Sequence, residues 1–106
     1  MLVQRNAEVL GKLSTASGMH FSFCDLLAHV TRTRALGSGT ILGAGTVSSA
    51  QIEDGVACLA EARALETIAH GAPQPPWLRV GERLRLSAHT AAGDDVFGAI
   101  ESEVIA

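Results

Sequence analysis

Residues 38–48 read Ser-Gly-Thr-Ile-Leu-Gly-Ala-Gly-Thr-Val-Ser. The three glycines at positions 39, 43 and 45 are too close together for a stable helix. The residues between them include Thr, Ile and Val, whose branched side chains favour extended backbone. We therefore predict a short strand, a glycine-lined bend and a second short extended piece. Because glycine in a strand often marks the close approach of a ligand or another backbone, the segment is a candidate site.

The glycine spacing does not fit the common nucleotide-binding loops. A dinucleotide-binding loop needs Gly-x-Gly-x-x-Gly at the start of a helix. The glycines here are Gly37, Gly39, Gly43 and Gly45, and no helix follows closely. A phosphate-binding loop needs a lysine after its glycines, and the single lysine of the chain is Lys12. The Gly-x-Ser-x-Gly turn of many serine hydrolases is also absent.

Helices are predicted on both sides of this segment. The first covers residues 22–34, with Ser22 as N-cap, Asp25 as its capping-box partner, arginines in the last turn and Gly37 as the stop. Its apolar residues recur at helical spacing, and they are Phe23, Leu26, Leu27 and Val30. The second covers residues 57–69, is rich in helix formers and ends at Gly71.

The rest of the chain alternates between strands and loops, and its last two strands are expected to form an antiparallel hairpin. The predicted elements are a strand or part of a hairpin over 2–12, a loop over 13–20, a polar connection over 50–56, a proline-rich loop over 71–77, a half-buried strand around Leu84 and Leu86, a turn over 90–95 and a strand over 96–104.

Composition favours a single globular domain of a cytoplasmic protein. The chain has 106 residues, of which 47% are hydrophobic and 18% charged. The net charge of −3 leaves no basic face for nucleic acid, and no segment has the roughly 20 apolar residues of a membrane helix. No signal peptide is expected at the start of the chain. Cys24 and Cys58 are predicted to be buried thiols rather than a disulfide framework.

Five segments in order resemble the C-terminal part of fumarylacetoacetate hydrolase (fumarylacetoacetase) family proteins, and together they span nearly the whole chain. The segments are Phe-Ser-Phe at 21–23 with the helix to residue 34, the Ser-Gly-Thr segment at 38–48, Cys-Leu-Ala-Glu-Ala-Arg at 58–63, Val-Gly-Glu-Arg-Leu-Arg-Leu at 80–86 and Phe-Gly-Ala-Ile-Glu at 97–101.

The resemblance implies an α+β fold, a mixed β-roll or sandwich with flanking helices, of which residues 1–106 would be a partial C-terminal domain. It implies a hydrolase that cleaves a carbon–carbon bond in small 2-oxo or β-diketo acids and depends on Mg²⁺ or Ca²⁺. It implies no nucleic-acid or membrane partner. A homodimer, or association with a separate N-terminal half, is expected.

The resemblance also assigns site residues. Thr40 matches the family's substrate-contacting threonine, and Gly39 beside it would leave room for the substrate. Glu61 matches the glutamate of the family's His–Glu dyad, which activates water. From helix periodicity alone, Glu61 is better explained as part of a solvated face with Arg63 and Glu66. The resemblance gives the catalytic interpretation about equal weight, so both interpretations stay open.

The metal half of the family site does not match this chain. In the family the carboxylate ligands, the dyad histidine and a lysine precede the Ser-Gly-Thr segment. Before residue 22 the chain has Glu8 as its single acid, and Lys12 does not lie in the family motif. No metal ligand is therefore predicted. We expect a truncated or split protein that is inactive alone, and the alternatives are a piece of a hydrolase or a non-catalytic module that associates with another chain.

Overall fold

The structure is a computed structural model that describes residues 1–17, 19–74 and 76–106. Gly18 and Pro75, which fall within two of the predicted loops, lie outside the described residues. The described chain forms a four-stranded sheet and two α-helices, which confirms the α+β class. In chain order the elements are β1 (Leu2–Arg5), β2 (Glu8–Lys12), α1 (Phe23–Thr31), a 3₁₀ helix (Ile52–Asp54), α2 (Leu59–His70), β3 (Arg83–Ser87) and β4 (Ile100–Glu103).

The sheet joins the two ends of the chain. Its strand order is β2-β1-β3-β4, and each neighbouring pair is antiparallel. β1 and β2 form a hairpin turned by Asn6 and Ala7, which both have positive φ (49° and 70°), as tight hairpin turns require. β3 and β4 form the second hairpin. Both predicted hairpins are confirmed.

β4 begins at Ile100, so the prediction of a strand from residue 96 is wrong at its start. The Asp95 carboxylate accepts hydrogen bonds from the backbone N–H of Phe97 at 3.0 Å and of Gly98 at 2.6 Å. Such local bonds compete with the hydrogen-bond ladder of a strand. The chain therefore turns at Gly98, where φ is 78°, before it joins the sheet.

α1 starts as predicted and ends early. The Ser22 hydroxyl accepts from the Asp25 N–H at 3.2 Å, and the Asp25 carboxylate accepts from the Ser22 N–H at 2.9 Å, which completes the capping box. At the other end, the Thr31 hydroxyl donates to the carbonyls of the preceding turn, and Arg32 is the C-cap. Because threonine hydroxyls compete for helix carbonyls, the predicted extension to residue 34 and the stop at Gly37 are wrong.

α2 ends as predicted at Gly71, whose left-handed backbone (φ 78°) lets its N–H bond the Thr67 carbonyl at 2.9 Å. The predicted strands in residues 38–48 are wrong, because in the described chain this segment pairs with no other strand. β-forming side chains alone do not make a strand, because a strand also needs a neighbour to complete its hydrogen bonds. The 3₁₀ helix lies in the predicted polar connection.

Little of the described chain is buried. Val3 and Leu13 are its buried apolar residues, at 4% and 2% exposure. Neither helix has a buried residue, and Phe23 on the predicted apolar face of α1 is 51% exposed. Cys24 is exposed and both cysteines are free, so the prediction that Cys24 is buried is wrong, because its helix packs no face fully. None of the described helices is long and apolar enough to cross a membrane.

The outer edge of β2 is closed by the segment that leads into α2. Gly11 forms an antiparallel bridge with Gly55, and the Val56 N–H donates to the Leu10 carbonyl at 3.0 Å. A Cβ atom on Gly11 would lie 2.5 Å from the Val56 carbonyl oxygen. The two backbones therefore meet only because both residues lack side chains, and this contact holds the start of α2 near the sheet.

Candidate functional site

Glu61 lies in the first turn of α2, where a carboxylate is stabilised by the positive end of the helix dipole. Its Oε2 atom is shielded from solvent and has no hydrogen-bond partner among the residues that the structure describes. A buried polar atom without a partner costs about 1–3 kcal/mol. The interpretation of Glu61 as an ordinary solvated residue therefore does not account for this oxygen.

Trp77 connects α2 to the sheet. The Arg63 guanidinium lies 4.6 Å from the centre of the Trp77 ring, a cation–π distance. The Trp77 carbonyl accepts from Arg5 on β1 at 3.3 Å, and Arg5 also pairs with Glu82 at 2.6 Å. The Arg5 hydrogen bond holds the pKa of the Glu82 carboxyl below its usual range. Through these contacts, the turn of α2 that carries Glu61 is tied to β1.

A cavity of about 550 Å³ lies between the start of α1 and the second half of the glycine-rich segment. Its lining includes four residues with hydroxyl groups and one histidine, and apolar residues come from the loop before α1, from the first turns of α1 and from the glycine-rich segment. Its polar lining residues are Ser14, Thr15, His20, Thr46 and Ser48, and its larger apolar ones are Met19, Phe21, Phe23, Leu26 and Val47.

None of the three predicted site residues is among the described residues that line this cavity. The Thr40 hydroxyl instead donates to the Gly37 carbonyl at 2.9 Å, inside a local turn. Gly39 has φ 87°, and a Cβ atom there would meet nothing within 4 Å. The structure therefore explains glycine at this position by the left-handed backbone and not by a lack of space. The substrate and catalytic roles of Thr40, Gly39 and Glu61 stay predictions.

Thr46 is the residue that the sequence analysis missed. The segment contains the pattern Gly-x-Gly-Thr-(Ile or Val) twice, at residues 37–41 and 43–47. This duplication makes Thr46 as good a match to a Gly-Thr motif as Thr40. The structure distinguishes the two, because the second copy lines the cavity and the first does not.

The family model for the fumarylacetoacetate (FAA) hydrolase C-terminal domain matches residues 1–105 of the chain. The chain belongs to this family. A search of the curated proteins gives no significant match. The five sequence segments that resembled the family all fall inside the matched range.

Members of the fumarylacetoacetate hydrolase family generally depend on a metal. Among the residues that the structure describes, no group of three His, Cys, Asp or Glu side chains lies close enough together to hold a metal ion. Mg²⁺ and Ca²⁺ prefer six or more oxygen ligands, several of them carboxylates. The residues that the structure describes therefore do not fit the family's metal by themselves.

Proposed function

We propose that this chain supplies the substrate side of a fumarylacetoacetase-like hydrolase that cleaves a carbon–carbon bond in 2-oxo or β-diketo acids. The observation that carries the proposal is the shielded Glu61 Oε2, an acceptor without a partner in the described structure, in a chain of this family. Unsatisfied buried groups are rare in stable folds and are often found at functional sites.

The proposed role of Glu61 is to accept a hydrogen bond and so orient the histidine that takes the proton from water. Hydrolysis of a β-diketone needs a base that removes a proton from water, so that the oxygen can add to the carbonyl carbon before the carbon–carbon bond breaks. In the family the carboxylate acts through a histidine, whose N–H it would orient. The free Oε2 of Glu61 is suited to accept that N–H. The histidine is provided by another segment in this proposal.

The cavity beside α1 is the proposed place for the substrate. The Thr46 and Ser48 hydroxyls are donors for its carbonyl or carboxylate oxygens, and apolar side chains cover its carbon skeleton. Thr40 remains the alternative contact from the family resemblance. Comparison of Thr46→Val with Thr40→Val separates them, because each change removes one hydroxyl and keeps the side-chain shape.

The rest of the active site comes, in this proposal, from a separate N-terminal half, because a second copy in a homodimer would only repeat the residues of this chain. Its ligands would hold the Mg²⁺ or Ca²⁺, and its strands would complete a roll or sandwich around the present sheet. Large apolar residues that the described chain leaves exposed support such packing. The most exposed are Ile41, Ile52, Ile68, Phe97 and Ile105.

The test is hydrolysis of an acylpyruvate in the presence of Mg²⁺ by this chain combined with the N-terminal half of a fumarylacetoacetate hydrolase, measured as loss of the enol absorbance. Glu61→Gln is expected to lower the rate about 10²–10⁴-fold, the usual contribution of an acid–base group. Glu66→Gln is the matched control, because it changes a carboxylate on the same helix that pairs with His70 instead of lacking a partner, and it should leave the rate unchanged. Equal rates in wild type and Glu61→Gln would contradict the proposal.

The second candidate function is a non-catalytic module that associates with another subunit. The missing metal-ligand group in the described residues and the exposed apolar residues favour it. Turnover by the same mixture distinguishes the two functions. Acylpyruvate hydrolysis that requires this chain contradicts the non-catalytic module, whereas association with the N-terminal half without turnover supports it. Calorimetric binding of Mg²⁺ by the chain alone at micromolar affinity would contradict both the non-catalytic module and the placement of the metal ligands on the other chain.

A further inference from the structure

The two edges of the sheet differ. The β2 edge is closed by the close contact of Gly11 with Gly55. β4 forms the other edge, and all four of its residues are exposed. Within the part of the chain that the structure describes, its strand neighbour is β3 and no strand lies on its other side. An open edge carries unpaired backbone N–H and C=O groups that another extended segment can bond.

The backbone groups that face the open edge can be assigned from the register. The Val104 N–H donates to the Glu82 carbonyl at 2.9 Å. Hydrogen-bonded positions alternate along an antiparallel pair. It follows that Ser102 bonds to β3, while the N–H and C=O groups of Glu101 and Glu103 point away from it. The two residues that present the free edge are therefore both glutamates.

Charge alternates across this face of the sheet. Arg85 on β3 donates to Glu101 at 2.9 Å, and Arg83 donates to Glu103 at 3.0 Å. The Glu101 side chain is 71% exposed, so its carboxylate still has free acceptor positions on the side away from β3. The next strand would continue the alternation only if it placed cations beside the two glutamates.

A second copy of this chain is a poor occupant of the edge. In an antiparallel pair of two β4 strands, each register that uses the free groups of both Glu101 and Glu103 places glutamate opposite glutamate. Like charges directly opposite each other destabilise a strand pair. The opposite face adds an apolar requirement, because Ile100 lies on the same face as its partner Leu86 and is 62% exposed.

We propose that the β4 edge is a docking site for an extended segment of another protein in which lysine or arginine alternates with apolar residues. The segment adds a fifth strand beside β4. Its backbone bonds the free groups of Glu101 and Glu103, its cations contact the two carboxylates, and its apolar residues cover Ile100. Main-chain bonds give affinity in this kind of strand addition, and alternate side chains give specificity.

The probe is a fluorescent peptide of about nine residues in which lysine alternates with valine, a usual strand length. Fluorescence anisotropy with the 106-residue chain should show saturable binding. A peptide of the same composition with its lysines and valines in separate blocks, and the alternating peptide with alternate backbone nitrogens methylated, should not bind. Binding of the methylated peptide with equal affinity would overturn the proposal, because it cannot form the strand ladder.

Protein variants separate edge binding from general charge attraction. Glu101→Gln with Glu103→Gln should weaken binding about tenfold or more, whereas Glu8→Gln with Glu53→Gln removes the same charge elsewhere and should change it less than about twofold. Glu101→Pro should abolish binding, because it removes an outward N–H without breaking a bond to β3. Thermal melting confirms that each variant is folded. Equal weakening in both double variants, absence of binding, or a dimer disrupted by Glu101→Pro would each overturn the proposal.

Discussion

Gly55 gives the sharpest test of how this fold is held together. Its backbone has φ 70° and ψ −154°, a region that is essentially restricted to glycine, and other residues there cost about 1–3 kcal/mol. A Cβ atom would also collide with the Leu10 carbonyl oxygen and lie 2.8 Å from the Gly11 Cα. Forcing a methyl group into such a contact costs about 1–3 kcal/mol more.

Gly55→Ala should therefore lower the free energy of unfolding by about 2–6 kcal/mol, the sum of backbone strain and overpacking. Domains of this size have only about 5–15 kcal/mol in total, so the loss is severe. Urea unfolding followed by circular dichroism measures it as a shift of the midpoint. The loss should extend to function, because this contact places the start of α2 and hence Glu61.

Substitutions of other glycines measure the two parts of the expected stability loss, backbone strain and overpacking, separately. Gly11→Ala adds the collision without positive φ, and Gly39→Ala adds positive φ without any collision. Gly43→Ala adds neither and should change stability by less than about 0.5 kcal/mol. If Gly55→Ala were as stable as Gly43→Ala, the close approach of the two backbones would be refuted.

Three further predictions concern stability. Ala7→Gly should stabilise the hairpin by about 0.5–1 kcal/mol, because glycine adopts the positive φ of residue 7 without strain. The neighbouring control, Glu8→Gln, should leave the free energy of unfolding unchanged in the same urea assay. Glu61→Met should raise the free energy of unfolding by about 1 kcal/mol, because removing an unpartnered buried acceptor outweighs the lost helix-dipole interaction. A lower free energy of unfolding would show that Oε2 has a hydrogen-bond partner. The hydrogen bonds from Ser22 lower the pKa of Asp25, so its contribution is present above the ordinary aspartate pKa and is lost as pH falls through the lowered value. Asp25→Asn should therefore flatten the acid side of the stability–pH curve, and an unchanged curve would contradict this capping role.

The elements that were predicted correctly depend on residues close together in the sequence. The capping box of α1 needs only Ser22 and Asp25, and the stop of α2 needs only Gly71. The β1–β2 hairpin needs only the two-residue turn at Asn6 and Ala7. In these cases the deciding hydrogen bonds join residues close together in the sequence, whereas the β3–β4 pair is joined by a longer connection and was indicated by its alternating side chains.

The errors arose where distant contacts or competing side chains decide the structure. Residues 38–48 have strand-forming side chains but no neighbouring strand in the described chain. Cys24 lies on a helix with an apolar pattern, yet that pattern cannot show whether anything packs against it. β4 begins later than predicted because the Asp95 carboxylate accepts hydrogen bonds from two backbone N–H groups. An argument from β-propensity does not include such hydrogen bonds.

Thr40 and Thr46 show how far local sequence can define the site. Both follow Gly-x-Gly and precede a β-branched residue, so sequence gives them equal weight. They differ in their surroundings in the structure, because Thr46 and the first turn of α1 line the same cavity. That turn is held by the capping box of Ser22 and Asp25, whose carboxylate also accepts from the Ser22 hydroxyl at 2.6 Å. The shape of the cavity therefore depends on the same hydrogen bonds that start the helix, and loss of the cap should loosen the Thr46 site before it affects Glu61 on α2.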